Sequence, residues 1–221
     1  MDVEGKRIVI IGDSHVDGNW FGRALELNLE SRGAEVSRYG WGGSAASTWL
    51  AGRSIFGKQY SLQVIRGYGP YDAALVVLGS NDAANAQRAA MEGGRPLLDG
   101  VKIAAESIQR VAGSLGAGTS FWVGPPKMGQ KSPYWTNSAM DALWNAASPG
   151  FGKRALDSRP ATAPYVAGGD GIHLGRDGAE AWAQFVVSEV TKQEASMGSP
   201  VGLLLVAGAC VILTLLRRMM R

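Results

Sequence analysis

The alternation of apolar and polar segments along the chain predicts parallel strands separated by helices. Continuous apolar runs at residues 8–11 and 73–78 are typical of strands that are covered on both faces. Helical periodicity follows the first run over about 20–31 and the second over about 97–114. Strands that alternate with helices indicate an α/β domain with a mainly parallel sheet. We therefore expect a three-layer α/β/α architecture.

Weaker patterns complete the predicted order of elements. Residues 34–39 and the stretch TSFWVGPP at 119–126 are expected to contain strands, and residues 133–147 a short helix. Residues 176–194 predict a last amphipathic helix. Its expected inner face carries Ala181, Trp182, Phe185 and Val186. Trp182 and Trp122 are both expected in the core.

Composition and charge narrow the class of protein. Of 221 residues, 46% are hydrophobic and 19% charged, which indicates a globular domain with a substantial core. The net charge of +3 comes entirely from Arg217, Arg218 and Arg221, and the other 19 Lys and Arg balance 19 Asp and Glu. A nucleic-acid binder should carry a basic surface on its folded part. We therefore expect no nucleic-acid partner.

Cysteine and histidine are scarce, which limits the chemistry available to the chain. The single Cys210 lies in an apolar stretch, so neither a disulfide framework nor a cysteine metal site is expected. His15 and His173 are the only imidazoles, so any histidine base is one of these two. We expect no metal ion and no organic cofactor.

Polar clusters follow the two clearest strands. GDS at 12–14 and GSND at 79–82 both lie where a predicted strand ends. In open parallel sheets, binding sites form beyond the carboxyl ends of the strands. GDS is also good turn chemistry, and Ser14 would then be only a helix cap. The shared position of the two clusters at one sheet edge favours a functional Ser14.

Four short stretches occur in order along the chain: GDS at 12–14, GWGGS at 40–44, GSND at 79–82 and DGIH at 170–173. Together they resemble the sequence blocks of the SGNH hydrolase superfamily, also called GDSL esterases and lipases. The resemblance spans residues 6 to about 190. It implies a flavodoxin-like α/β/α fold and a serine hydrolase that acts on ester bonds without a cofactor.

The expected nucleophile and base are Ser14 and His173. A serine hydroxyl is a poor nucleophile until a base takes its proton, and an imidazole titrates near neutral pH. Asp170, three residues before His173, is expected to orient the imidazole, as in other Ser-His-Asp sites. His173 and Asp170 also have structural alternatives, at a helix end and in a turn.

The resemblance implies three donors to the oxyanion: the backbone N–H of Ser14, the backbone N–H of Gly43 and the side-chain amide of Asn81. Gly42 is the alternative to Gly43, because the two glycines are adjacent. Asn81 has a structural alternative as a turn residue. Asp13 is expected to shape the turn through hydrogen bonds.

Three residues near these blocks are candidate substrate contacts: His15, Trp41 and Trp135. The family usually has an apolar residue at the position of His15, for which we expect a surface or pocket-wall role. Trp135 and Trp144 are expected in a loop over the site. Aromatic faces there would stack on a sugar ring or pack an acyl chain, and the alternative is that they bury a small lid.

The expected activity is hydrolysis of a carboxylic ester through an acyl-enzyme, with an acetyl group on a cell-envelope glycan as the favoured substrate. One alternative is a membrane-anchored lysophospholipase, lipase or thioesterase. A second is a membrane-anchored structural protein, such as a virion component, that retains the fold without turnover. The oligomeric state is left open.

The C-terminal region adds a predicted anchor to the catalytic domain at 1–196. A hinge at 197–200 precedes 16 uncharged residues at Val201–Leu216, followed by a basic tail at 217–221. As a helix the segment would measure about 24 Å, near the lower limit for a bilayer span. The alternative is a helix packed on the domain or in an oligomer. No signal peptide is expected, and the side of the membrane stays open among cell envelope, cytoplasm and virion.

Overall fold

The computed structural model describes residues 2–18, 20–52, 61–129, 131–165 and 170–197. Within these ranges, no helix is both long enough and apolar enough to cross a bilayer. The predicted anchor at Val201–Leu216 and the basic tail lie outside the described residues.

Five parallel strands form the central sheet of the described chain, in the spatial order β2-β1-β3-β4-β5. The strands are β1 (Arg7–Gly12), β2 (Glu35–Gly40), β3 (Ala73–Val77), β4 (Thr119–Val123) and β5 (Ala155–Leu156). The chain runs outward from β1 to β2 and then returns to the other side of β1 with β3. The predicted mainly parallel sheet is confirmed, and the strand order reverses between β1 and β3.

Helices cover both faces of the sheet. They are α1 (Ser14–Asp17), α2 (Trp20–Glu30), α3 (Ala46–Ala51), α4 (Leu62–Gly67), α5 (Ser80–Gly93), α6 (Leu97–Ser114), α7 (Asn137–Phe151), α8 (Ser158–Thr162) and α9 (Arg176–Met197). Helices α2 and α9 pack together on one face, and α3, α5, α6 and α7 lie on the other. The predicted three layers are confirmed.

The strands are continuously apolar because each side chain faces one of two cores. Along β1, Val9 and Ile11 join the core under α6 and α7, whereas Ile8 and Ile10 join the core under α2 and α9. All four side chains are fully buried. Trp122 and Trp182, predicted as core residues, are also fully buried, one in each core.

Most predicted elements agree with the structure, and the differences have local causes. The helix expected within 133–147 begins at Asn137, where the Oγ1 of Thr136 caps it by accepting the N–H of Ala139 at 3.2 Å. Helix α5 was not predicted. Its buried face is made of small side chains, chiefly alanines, so its apolar periodicity is weak. On α9, Ala181 and Phe185 are only partly buried.

Candidate active site

The turn after β1 brings Ser14 to the sheet edge where the strand order reverses. In the pairing register, Gly12 lies opposite Gly40 of β2 and Val77 of β3, so the three strands end level. A Cβ on Gly12 would stand 2.7 Å from the Val77 carbonyl oxygen, which leaves room for glycine only. The carboxylate of Asp13 accepts the N–H of His15 at 3.0 Å, which confirms that Asp13 shapes this turn. Ser14 follows as the first residue of α1.

The structure brings Ser14, His173 and Asp170 into one hydrogen-bonded row. Ser14 Oγ lies 2.8 Å from His173 Nε2, although 159 positions separate the two residues. On the other side of the ring, His173 Nδ1 lies 2.5 Å from Asp170 Oδ2. The second oxygen of Asp170 accepts the N–H groups of Ile172 and His173, each at 2.9 Å. The turn at 170–173 thus fixes the carboxylate and the imidazole relative to each other.

Asp170 is an ionised carboxylate at neutral pH. Partial desolvation raises its pKa, but the N–H of His173, the imidazole and the N–H of Ile172 together lower it from 3.8 to about 2. A carboxylate at Nδ1 favours the imidazole tautomer that carries its proton there. The lone pair of Nε2 then faces the hydroxyl of Ser14, as a general base requires.

A single unpaired N–H stands out in the loop that follows β2. The other five N–H groups of residues 41–46 are all engaged: Trp41 with Gly12 O, Gly42 with Asp17 Oδ2, Ser44 with Trp41 O, Ala45 with Thr48 Oγ1 and Ala46 with Asp82 Oδ1. The N–H of Gly43 makes no hydrogen bond to any described residue. Of the two adjacent glycines, Gly43 is therefore the one with a donor to offer.

Two further donors lie at the same edge. The N–H of Ser14 has no hydrogen-bond partner among the described residues, as the first N–H of a helix is expected to lack one. The side-chain amide of Asn81 donates to the Ser44 carbonyl at 3.0 Å and lies 3.5 Å from Asp13 Oδ2. Asn81 therefore bridges the turn after β1 and the loop after β2. The two backbone donors therefore have no partner in the part of the chain that the structure describes, while the Asn81 amide already donates to Ser44.

His15 is buried beneath the imidazole of His173, so the expected surface position is wrong. Its side chain is 2% exposed, with ring centroids 5.1 Å from His173 and 5.3 Å from Trp182. Helix α1 turns the ring inward onto Trp182, which closes it off from a substrate. Burial lowers the pKa of His15 to about 3, so the ring is neutral. Its Nε2 has no partner among the described residues.

The candidate tryptophans do not all reach the site. Trp41 is 6% exposed and packs edge-on against Trp49 at 5.7 Å, so it belongs to the core and presents no face to a substrate. Trp144 lies on α7, stacked on Trp122 at 5.2 Å, and not in a loop as expected. Trp135 is partly exposed and packs against the same core.

Two carboxyls at the site, Asp13 and Asp82, are buried. The sequence patterns predict only a turn-shaping role for Asp13 and no role for Asp82. Asp13 and Asp82 are 1% and 5% exposed, and burial raises the pKa of each from 3.8 to about 7. Asp82 directly follows Asn81, and its position as the last residue of the GSND block is the sequence signal that could have indicated it. Asp17, which holds the Gly42 N–H, was missed because its partner lies 25 positions away.

The arrangement suits acyl transfer. A hydroxyl, an imidazole and a carboxylate are hydrogen-bonded in a row. The N–H groups of Ser14 and of Gly43 in the neighbouring loop have no partner among the described residues. Among the described residues, no group of three His, Cys, Asp or Glu side chains is placed to hold a metal ion.

Solved structures with the same fold include acetylxylan esterases. A tryptophan-to-isoleucine variant of Axe2, an acetyl xylan esterase from Geobacillus stearothermophilus, is 16% identical and matches with a TM-score of 0.61, over 86% of this chain and 97% of that one. Another Axe2 structure is 15% identical, with a TM-score of 0.58 over 86% and 96%. LAE5, an alpha/beta hydrolase enzyme from the metagenome of Lake Arreo, is 16% identical, with a TM-score of 0.57 over 85% and 95%. No protein-family model and no curated protein matches the sequence. The fold implied by the resemblance to SGNH hydrolases is confirmed.

Proposed function

We propose that this chain is a serine esterase that hydrolyses carboxylic esters through an acyl-enzyme, and that it removes small acyl groups, above all acetyl, from a cell-envelope glycan. The observation that carries the proposal is the row from Ser14 Oγ through both nitrogens of His173 to the Asp170 carboxylate, with contacts of 2.8 and 2.5 Å.

In the first half-reaction, Ser14 Oγ attacks the ester carbonyl carbon while His173 Nε2 takes the hydroxyl proton. The Asp170 carboxylate stabilises the imidazolium and remains ionised itself. Negative charge develops on the former carbonyl oxygen, where the N–H groups of Ser14 and Gly43 donate to it. Asn81 adds its amide by turning from its contact with Asp13.

Collapse of the tetrahedral intermediate expels the alcohol, which takes the proton from His173. Water then attacks the acyl group on Ser14, and His173 again accepts a proton, in this half-reaction from the water. The second tetrahedral intermediate expels Ser14 Oγ, which recovers its proton from the imidazolium. The products are the free acid and the alcohol, and the enzyme returns to its starting state.

Acetyl specificity is favoured by the structural neighbours. Those from Geobacillus stearothermophilus are described as acetylxylan or acetyl-xylooligosaccharide esterases. Two of them are catalytic mutants in which a serine or an aspartate is replaced by alanine, the same residue types that we propose here for Ser14 and Asp170.

The test is a series of p-nitrophenyl esters of increasing acyl length, together with acetylated glycans and a lysophospholipid. We expect the highest kcat/KM for acetyl and the loss of nearly all activity in Ser14→Ala, while Ser31→Ala, at an exposed serine after α2, behaves as wild type. Activity that rises towards long acyl chains would favour the lysophospholipase alternative. Equal background rates for wild type and Ser14→Ala would favour a structural protein.

We further propose that residues 201–216 anchor the enzyme to a membrane. The support is the length of the segment and its lack of charge, with Arg217 and Arg218 available to reach the headgroups. We expect the full chain to co-sediment with phosphatidylcholine vesicles. Ala209→Arg should abolish co-sedimentation and the apolar control Ala209→Leu should retain it, whereas equal behaviour of the two variants would contradict an anchor.

A further inference from the structure

We infer that Asp17 and Asp82 are positioning residues of the oxyanion hole. They hold the N–H of Gly42, directly before Gly43, and that of Ala46, three residues after it, so that the Gly43 N–H is left without a partner among the described residues. The inference rests on the proposed function, because it assigns these carboxyls a part in the same reaction.

Asp17 holds the side of the loop that precedes Gly43. Its Oδ2 accepts the N–H of Gly42 at 3.0 Å. Although Asp17 is exposed, its backbone is fixed: Arg38 Nη1 donates to the carbonyls of Val16 and Asp17 at 2.5 and 3.3 Å. A Cβ on Gly40 would stand 2.2 Å from the backbone of Asp17, so the end of α1 lies directly against β2. The carboxylate therefore projects from a rigid position.

Asp82 holds the side that follows Gly43. Its Oδ1 accepts the N–H of Ala46 at 2.9 Å, and the side chain is 5% exposed. Ala46 is the first residue of α3, and the residue before it, Ala45, has no side-chain oxygen to cap that helix. The N–H of Ala46 has no acceptor within its own helix, and Asp82 supplies one from α5.

The two carboxyls and the other oxyanion donors are carried by the same two helices. Helix α1 begins with Ser14 and ends with Asp17, and α5 carries Asn81 next to Asp82. Helices α1 and α5, which carry the donors at Ser14 and Asn81, therefore also hold the loop that carries Gly43. Through this link the two helices engage the N–H groups of Gly42 and Ala46, while other contacts engage those of Trp41, Ser44 and Ala45.

A positioning role differs from a purely structural one in what it changes. Loss of a structural contact lowers the free energy of unfolding but leaves the folded enzyme as active as before. Loss of a positioning contact lets the Gly43 N–H drift from the oxyanion, so it weakens binding of a charged tetrahedral group more than binding of the ester. Removing an oxyanion donor outright costs roughly 100- to 1000-fold in kcat, and a displaced donor should cost less.

The experiment compares Asp17→Ala, Asp17→Asn and Asp82→Asn with wild type, and uses Glu106→Gln, at an exposed site on α6, as the matched control. The readouts are kcat and KM for p-nitrophenyl acetate, inhibition by an arylboronic acid that forms a charged tetrahedral adduct, and Tm. For Asp17→Ala we expect about a tenfold or larger fall in kcat, a matching loss of boronate affinity and less than a twofold change in KM. The two Asn variants retain an oxygen acceptor and should stay within about threefold of wild type.

The inference is overturned if Asp17→Ala keeps wild-type kcat and boronate affinity, whatever its Tm. It is also overturned if Asp17→Asn loses as much as Asp17→Ala, because the hydrogen-bond acceptor would then not matter. A wild type no faster than Ser14→Ala would instead contradict the proposed function, and the inference with it. A Ser14-dependent wild type that tolerates Asp17→Ala contradicts the inference alone.

Discussion

Replacing Asp170 tests the link between the carboxylate and the imidazole. In Asp170→Ala, the imidazolium that forms during attack loses its counter-charge. Two unit charges about 4 Å apart interact by roughly 1 kcal/mol in water and about 4 kcal/mol near a protein surface. The Asp170 side chain is 50% exposed, so screening favours an intermediate value near 2 kcal/mol. We expect about a 30-fold loss of kcat/KM.

Asp170→Asn should be more damaging than Asp170→Ala, although it is the more conservative change. The N–H groups of Ile172 and His173 need an oxygen acceptor, so the new amide oxygen takes that side. The amide NH₂ then faces His173 Nδ1 and forces the proton onto Nε2, where it blocks removal of the Ser14 proton. In Asp170→Ala, water reaches the exposed position and leaves the useful tautomer accessible.

The assay is kcat/KM for p-nitrophenyl acetate at constant pH, and Asp177→Asn is the control. Asp177 is an exposed carboxylate in the first turn of α9, so its loss changes the charge near the site without touching the imidazole. The reasoning is refuted if Asp170→Asn stays within threefold of wild type, or if it is more active than Asp170→Ala.

Three further predictions concern stability. His15→Leu should raise the free energy of unfolding by about 1 kcal/mol in urea titrations, because it removes a buried Nε2 that has no partner among the described residues. A decrease of similar size in the free energy of unfolding would show that Nε2 has a hydrogen-bond partner. Asp13 and Asp82 have pKa values near 7 in the folded chain and 3.8 as ordinary side chains. The unfolded chain therefore binds fewer protons than the folded chain between about pH 4 and 7, so the free energy of unfolding should fall as pH rises through that window. The fall should be steeper in wild type than in Asp13→Asn, and an equal dependence on pH in the two proteins would contradict the raised pKa of Asp13. Gly40→Ala places a Cβ 2.2 Å from backbone and should cost more than about 3 kcal/mol, whereas Gly18→Ala, with nothing within 4 Å, should be nearly neutral in thermal melts.

The overall architecture was predictable because its strongest elements carry strong patterns. Strand β1 reads as an uninterrupted apolar run because both of its faces are covered, and α6 begins and ends where its periodicity does, at Leu97 and Ser114. The four short blocks also lie at strand ends and helix starts, where turn residues such as Gly, Asp and Asn can be recognised in the sequence. These features depend on neighbours in sequence.

The features that were missed or left open depend on contacts across the chain. The burial of His15 requires Trp182 on the last helix, so its polar character suggested a surface position. The choice between Gly42 and Gly43 depends on the Asp17 carboxylate, which occupies the N–H of Gly42. The pairing of Asp82 with Ala46 joins α5 to α3 across 36 positions. No local pattern contains this information.

The most direct test of the central claim is covalent labelling by diethyl p-nitrophenyl phosphate, followed by intact-mass and peptide analysis. Activation of Ser14 by His173 predicts one diethylphosphoryl group per chain, on the peptide that contains Ser14, and at least about a 100-fold slower reaction in His173→Ala. An unlabelled wild type, an adduct on another residue, or equal labelling rates in wild type and His173→Ala would contradict the account.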